Sequence, residues 1–217
     1  MDLLTVFIIV LVVIAFILIG VLNGKYKRIE QGRKGEAIVT KKLNFWLKSS
    51  SSHVLNDITI PTSSGTTTQI DHLVISTRGI FCIETKNLNG TIYGNKDDQN
   101  WKHFNRRGDK NNMFNPLKQN RGHINNIARI LRISPDEIQG FVVNVGSAKL
   151  KGDIKPFFSK PLIETGTGFI FKLWRLPKNA ISQDQVDSYL NQIQSVALER
   201  SRKTNKQHIS NIKKRYK

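Results

Sequence analysis

The sequence predicts an α/β fold, a central mixed β-sheet flanked by helices, behind one N-terminal transmembrane helix. Three observations predict it. An uncharged apolar run opens the 217-residue chain, segments that alternate apolar and polar residues follow, and segments with apolar residues at helical spacing lie before and after them. The composition, 39% hydrophobic and 23% charged with 15 Gly and 6 Pro, excludes collagen-like, low-complexity and wholly disordered chains.

The first predicted element is the apolar run itself. Leu3 to Leu22 carries no ionisable side chain, and at about 1.5 Å per helical residue it is long enough to cross a hydrocarbon core of about 30 Å. Asp2 before the run and basic residues after it favour an uncleaved anchor over a signal peptide. Because the basic residues from Lys25 to Lys34 follow the run, the positive-inside rule predicts a single-pass protein of the cell membrane whose soluble part faces the cytoplasm. We therefore expect an anchor at residues 1–24.

The charge of the chain predicts a polyanionic partner. The formal net charge is +18, and residues 199–217 form a basic tail. Nucleic acid and anionic lipid both attract clustered Lys and Arg, so charge alone leaves both open, and solubility with an orientation signal is a third interpretation. The tail equally fits a solvated helix. The single cysteine, Cys82, excludes a disulfide scaffold and a cysteine-based zinc site.

A helix is predicted from about Glu30 to about Lys48, because its apolar residues recur at helical spacing. Glu36 lies three residues before Val39 and seven before Leu43, on the same stripe. A carboxylate on a buried stripe is costly unless a cation meets it. The alternative interpretation is an acid near a helix N-terminus, which the helix dipole favours.

Strands are predicted at residues 53–60, 69–76 and 80–87, and a three-residue turn makes the last two antiparallel partners. Because side chains alternate along a strand, Glu84 and Lys86 share a face. The antiparallel pairing then brings Asp71 close to both of them. Two carboxylates at one place offer the hard oxygen ligands that suit Mg²⁺ or Mn²⁺. A cross-strand salt bridge is the alternative interpretation.

A polar, basic segment follows at residues 95–112. We expect it to guide a nucleic-acid backbone, with Trp101 stacking on bases and Lys102, Arg106 and Arg107 pairing with phosphates. The alternative interpretation of Trp101 is a core residue or the anchor of a lid.

The rest of the chain predicts two further helices and two strands. Asn115 followed by Pro116 is typical of a helix start, and Ser182 with Gln185 has the spacing of a capping box. Strands are expected at residues 139–145 and 157–163, whereas the pattern at 166–176 fits a strand or a short helix.

Five blocks in this order resemble the nuclease-related domain (NERD), a branch of the PD-(D/E)xK nuclease superfamily. The resemblance covers roughly residues 30–145. The blocks are GRKGE at 32–36, QIDHLVIS at 69–76, GIFCIETKN at 79–87, Trp101, and NPLKQN at 115–120.

The resemblance implies a restriction-endonuclease-like sheet and a metal site. By this likeness Asp71 and Glu84 would be metal-binding carboxylates, the backbone carbonyl of Thr85 a further ligand, and Glu36 the helical acid that completes the site for Mg²⁺ or Mn²⁺. Position 70 departs from the superfamily's Pro-Asp, because Ile70 precedes Asp71 here.

The resemblance also implies roles for two further residues. Lys86 would hold or activate the attacking water and stabilise charge on the phosphate, and Gln119 would position water or substrate. His72 alternates to the opposite face, so we expect it to pack rather than to bind. The implied protein is a membrane-anchored nuclease that acts on nucleic acid, with DNA expected, in a domain at residues 25–198. An inactive nuclease fold that binds nucleic acid or anionic lipid is the alternative, and a structural or interaction protein is a third hypothesis.

Overall fold

The computed structural model describes residues 2–47, 51–153, 162–165, 168–170, 173 and 180–198. The basic tail at 199–217 lies outside the described residues. So do most of the strand predicted at 157–163 and most of the segment 166–176.

A single helix, α1, runs for 44 residues from Leu3 to Trp46. The predicted transmembrane helix and the predicted first helix are therefore one continuous element, because Asn23 and Gly24 do not interrupt it. Its N-terminal half holds an 18-residue window of mean hydropathy 3.4, none of it buried, which is long and apolar enough to cross a membrane. The buried residues of α1 are Gly35, Val39 and Leu43, all in its C-terminal half.

A five-stranded sheet forms the centre of the fold, and its strands stand in the order β1-β2-β3-β7-β9. The first three strands pair antiparallel and the last three pair parallel, so the sheet is mixed, as predicted. Their bounds are β1 Ser52–Pro61, β2 Thr67–Ser76, β3 Gly79–Lys86, β7 Ile138–Asn144 and β9 Leu162–Thr165.

A second sheet has four strands in the order β6-β5-β4-β8. It corrects the prediction of a polar loop at residues 95–112, because β5 lies within this segment, β6 begins in it, and the two strands pair as an antiparallel hairpin. The sequence did not indicate these short strands, because their many Asn and Lys side chains interrupt the alternation of apolar and polar residues. The bounds are β4 Thr91–Tyr93, β5 Asn100–Phe104, β6 Lys110–Phe114 and β8 Lys149–Lys151.

Helices cover both faces of the central sheet, and each buries an apolar stripe there. Helices α2 (Pro116–Leu131) and α3 (Gln183–Val196) pack on one face, and α1 packs on the other. The first cluster includes Ile75, Ile80, Ile127, Leu131 and Ile193, and the second includes Val39, Leu43, Phe81, Ile83 and Phe141.

The predicted helix starts are confirmed. The Asn115 side chain accepts from Leu117 N at 2.9 Å with Pro116 in the first turn of α2, and Ser182 forms a capping box with Gln185 at the start of α3. A short 3₁₀ helix, Pro135–Glu137, then leads the chain from α2 into β7. The cap at Asn115 fixes where α2 begins and therefore where its first turns meet the central sheet.

Candidate active site

The pairing of β2 with β3 runs from Ser76↔Gly79 to His72↔Ile83. Just beyond the last pair, the Asp71 carboxylate takes the place of a backbone partner, because its Oδ2 accepts from Thr85 N at 2.7 Å. The short turn between the strands sets this register, so Asp71 lies beside the end of β3 as the sequence predicted. The polar residues of β3 begin at this same position.

Glu84 is a buried carboxylate, only 1% exposed, with both oxygens hydrogen-bonded. Lys86 Nζ donates to its Oε1 at 2.5 Å, and His123 Nε2 donates to its Oε2 at 3.2 Å. Burial alone raises the pKa of Glu84, but the Lys86 ammonium and the His123 hydrogen bond outweigh it and lower the pKa to about 2. Glu84 is therefore ionised at neutral pH.

Lys86 is held by two side chains, because its ammonium also donates to Gln119 Oε1 at 3.1 Å. Gln119 lies in the first turns of α2, where the Asn115 cap places it. Burial lowers the pKa of Lys86, but the negative charges of Glu84 and Asp71 raise it by more than burial lowers it, so the pKa of Lys86 lies above its ordinary value. Lys86 is thus an ammonium that supplies positive charge, and its ion pair with Glu84 lies within β3 instead of across strands.

The surroundings of Asp71 and Glu36 disfavour the ionised form of each carboxyl group. Burial and the negative charge of Glu84 raise the pKa of Asp71 well above its usual range. Burial, Asp57 and Glu84 raise the pKa of Glu36 in the same way. Glu36 lies more than 30 residues after Leu3, where α1 begins, so the alternative of an acid near a helix N-terminus is wrong.

Helix α1 is fixed to the end of β3 through Asn87. Gln31 Nε2 donates to Asn87 O at 2.6 Å, and Asn87 Nδ2 donates to Gln31 O at 2.8 Å. A Cβ on Gly35 would lie 2.7 Å from the Asn87 Cβ, so only glycine permits this close approach. The contact brings Glu36, the next residue, toward the acids of the site.

Two residues of the site were missed by sequence reasoning. His123 lies on α2 one turn after Gln119, and its Nδ1 lies 2.9 Å from Thr68 Oγ1. Asp57 lies in β1 with a left-handed backbone at φ 52°, between the pairs Asn56↔His72 and Ile58↔Ile70 and so opposite Asp71. An i, i+4 spacing from Gln119 was the available signal for His123, and no local pattern pointed to Asp57.

A chain of buried polar side chains runs on the opposite face. Thr40 Oγ1 and His72 Nδ1 donate to Asn56 Oδ1 at 3.2 and 2.8 Å, and His72 Nε2 accepts from Thr85 Oγ1 at 3.0 Å. Burial lowers the pKa of His72 to about 4, so the ring is neutral. His72 therefore occupies the face that alternation predicted and positions Thr85, whose backbone N–H binds Asp71.

The predicted nucleic-acid contacts divide into two groups. Trp101 is 2% exposed, its Nε1 donates to Asn95 O at 2.8 Å, and its ring joins an apolar cluster between the two sheets. This burial contradicts base stacking by Trp101, and the alternative of a core residue describes it. Lys102, Arg106 and Arg107 are exposed, and their contact with phosphate stays a prediction.

The donor chemistry of the site fits a hard divalent cation. Carboxylate oxygens of Asp71, Glu84 and Glu36 are the ligands that Mg²⁺ prefers, and a cation would offset the burial and the repulsion that raise the pKa values of Asp71 and Glu36. Lys86 and His123 engage both Glu84 oxygens. Among the described residues, no group of three or more His, Cys, Asp or Glu is arranged to hold a metal ion.

Comparison with known proteins identifies the family. Over 94 residues, 43% of the chain, the sequence is 42% identical to an uncharacterised protein of Bacillus anthracis, and the match covers 43% of that protein's length. No solved structure matches the chain. The family model of the nuclease-related domain matches residues 31–145, more than half of the chain and the part that carries Glu36, Asp71, Glu84 and Lys86. The chain therefore belongs to the nuclease-related domain (NERD) family.

Proposed function

We propose that this chain is a metal-dependent nuclease that hydrolyses phosphodiester bonds, with DNA the expected substrate. The observation that carries the proposal is the cluster of Asp71, Glu84 and Lys86 where β2 and β3 stop pairing, in a chain of a nuclease-related family. Phosphodiester cleavage needs an activated water and positive charge near the phosphate. Acids and an ammonium at one strand end are the groups that can provide them.

The acids are the proposed metal ligands. Asp71 and Glu84 would hold Mg²⁺ or Mn²⁺, with the Thr85 carbonyl and the Glu36 carboxylate as further oxygens. When bound, the cation supplies a nucleophilic water near neutral pH and counter-charge for the phosphate. Mg²⁺ keeps several of its waters, so a few protein ligands suffice.

Lys86, Gln119 and His123 are the proposed residues for charge stabilisation and positioning. The Lys86 ammonium stabilises negative charge that develops on the phosphate, because the neighbouring acids keep it protonated. Gln119 accepts from Lys86 and so orients the ammonium, while His123 holds the second oxygen of Glu84. These contacts tie β3 to α2 and pre-position the strand end before substrate arrives.

The N-terminal half of α1 is the proposed anchor in the cell membrane. It is uncharged from Leu3 to Leu22 and is followed by Lys25, Lys27 and Arg28. Positive charges that follow a span favour the cytoplasmic side, so the nuclease domain would face the cytoplasm. Anionic lipid beneath these charges is the expected partner of this segment.

Cleavage of labelled DNA and RNA by the full chain in detergent tests the nuclease proposal. We expect cleavage with Mg²⁺ or Mn²⁺, none with chelator, and a loss of at least about 100-fold in Glu84→Gln and in Lys86→Met. Asp184→Asn, an exposed acid on α3, is the matched control and should cleave as the wild type does. Equal cleavage by Glu84→Gln would reject the proposed site.

A binding-only protein is the second candidate. One observation favours it: Lys86 and His123 already occupy both oxygens of Glu84, and the described residues contain no ready group of three ligands. Such a protein would bind nucleic acid or anionic vesicles equally well with chelator and would never shorten the nucleic acid. A purely structural protein would bind no nucleic acid in a salt-sensitive way.

A further inference from the structure

One face of the second sheet combines aromatic rings with lysines. The register aligns Tyr93 with Lys102 and Lys151, and Thr91 with Phe104 and Lys149, so these side chains share a face. Phe104 is in turn opposite Lys110. We call this the outer face and define it by six residues: Tyr93, Phe104, Lys102, Lys110, Lys149 and Lys151.

The other face of the sheet explains why these rings point outward. Ile92 and Trp101 are buried there, in the cluster that joins the second sheet to Leu117 of α2 and Val142 of β7. Because side chains alternate, burial of these two residues commits their neighbours on the strands to the opposite side. The outer face is therefore a fixed consequence of the core.

Tyr93 and the four lysines of the outer face are exposed, and Phe104 is half-buried beside them. Tyr93 is 40% exposed, and its ring meets that of Phe104 edge to face with centroids 5.6 Å apart. Lys151 Nζ lies 5.4 Å from the Tyr93 centroid. Thr91, Tyr93, Lys102 and Phe104 line a shallow depression between the strands.

The charge of this surface selects a polyanion. The outer face carries four lysines, and β4, β5, β6 and β8 contain no Asp or Glu. A protein partner would need acidic side chains to match these lysines, and a duplex would meet the lysines but would keep its bases stacked on one another, away from the rings. Unpaired bases provide that group, because every base can stack on an aromatic side chain while its phosphate meets a lysine.

We infer that the outer face is a binding surface for single-stranded nucleic acid, with bases stacked on Tyr93 and Phe104 and phosphates paired with the surrounding lysines. The inference rests on the proposed function, because it takes nucleic acid as the substrate. It moves the stacking role from the buried Trp101 to the two aromatic residues on the opposite side of the same sheet.

Chain connectivity links this surface to the candidate active site. Strand β3 ends at Lys86 and β4 begins at Thr91, a separation of at most about 18 Å along five residues. At the other end, β6 stops at Phe114, and the next residue caps the helix that carries Gln119. Strands β4, β5 and β6 are thus inserted between β3 and α2, the two segments that build the site, so the outer face and the site are connected through short stretches of chain.

Binding of a fluorescein-labelled oligothymidylate to the full chain in detergent, with chelator present, tests the inference. We expect Tyr93→Leu and Phe104→Leu each to weaken binding about 10-fold, because leucine keeps apolar bulk but removes the ring. Lys102→Gln with Lys151→Gln should lower the slope of log affinity against log salt by about 1.4. The matched controls lie on α1: Phe45→Leu, and Lys41→Gln with Lys42→Gln, should bind as the wild type does, and thermal melts verify folding.

The inference would be overturned by no oligothymidylate binding by the wild type, by wild-type affinity in both ring variants, or by an equal loss of affinity for duplex DNA in these variants. Loss of binding to anionic vesicles alone would also overturn it and would assign the face to lipid. Cleavage assays separate this outcome from the proposed function. A wild type that cleaves DNA while both ring variants bind normally disproves only the surface, and stacking without any cleavage disproves only the nuclease.

Discussion

Thr85 Oγ1 donates a hydrogen bond to His72 Nε2 at 3.0 Å, on the face of the sheet away from Glu84. The same residue donates its backbone N–H to Asp71. Thr85 therefore connects the buried polar chain behind the sheet with the acids in front of it. A change at His72, behind the sheet, is therefore expected to alter the position of Asp71.

The first prediction concerns the pH dependence of folding. The folded-state pKa of His72 is about 4, below its ordinary value of 6.5, because burial disfavours the charged ring. The unfolded chain then binds more protons between these values, so stability is full above about pH 6.5 and falls as the pH drops toward 4. His72 contributes a loss of up to about 3 kcal/mol across this window.

Denaturant titrations of the full chain and of His72→Asn, followed by tryptophan fluorescence at several pH values, measure this contribution. The variant is less stable near neutral pH, where it loses the bonds to Asn56 and Thr85, but its stability falls less steeply between pH 6.5 and 4. Parallel curves for the two proteins would show that His72 is not the group that titrates.

The second prediction uses two glycines of the same helix. Gly35→Ala should destabilise the fold by about 1–3 kcal/mol, because the new Cβ would lie 2.7 Å from the Asn87 Cβ. Gly32→Ala should stabilise it by about 0.5–1 kcal/mol, because nothing lies within 4 Å of its Cβ position and alanine favours a helix. Unfolding free energies of the two variants check the opposite signs. Equal effects would mean that α1 does not contact Asn87 as described.

The third prediction concerns His123. His123→Leu leaves the buried Oε2 of Glu84 without a donor, and we expect a loss of about 1–3 kcal/mol in the free energy of unfolding. His123→Gln keeps a side-chain donor and should recover part of this loss. Denaturation midpoints at neutral pH compare the two variants. A fully stable His123→Leu protein would argue that water or Lys86 satisfies the carboxylate alone.

The fourth prediction separates burial from contact at Trp101. Trp101→Ala should cost about 3–5 kcal/mol, as the removal of a buried ring does. Trp101→Phe fills most of the space and should bind an oligothymidylate as tightly as the wild type does. Denaturation and binding titrations on the same samples check both statements. Weaker binding by a folded Trp101→Phe protein would restore the stacking role.

The parts of the site that the sequence predicted depend on short-range rules. The turn between β2 and β3 contains only Thr77 and Arg78, because Gly79 pairs with Ser76, whereas the sequence predicted a turn at residues 77–79. The prediction that an antiparallel hairpin brings Asp71 close to Glu84 and Lys86 needed only the pairing of two neighbouring strands. The helix start at Asn115 followed from local capping, and it places Gln119 in the first turns of α2, where its side chain accepts from Lys86. Each of these predictions needed only neighbours within one hairpin or one helical turn.

The features that the sequence did not predict depend on contacts between distant segments. Nothing in the local sequence distinguishes His123 from other residues of an amphipathic helix, and its contact with Glu84 depends on how α2 packs on β3. Asn120 likewise donates to the carbonyls of Cys82 and Phe141, and so joins two parallel strands. The β5–β6 hairpin was hidden because its strands carry mostly polar residues around Trp101 and Met113, and these two residues are covered by distant segments that include Leu117 of α2 and Val142 of β7.

The uninterrupted helix α1 acts as a ruler. Glu36 lies on the same rigid rod as Leu22, and helical rise sets their axial separation at about 21 Å. If the apolar half of α1 is immobilised at a surface, Glu36 stays at this fixed distance from Leu22 along the helix axis, because the helix is continuous between the two residues.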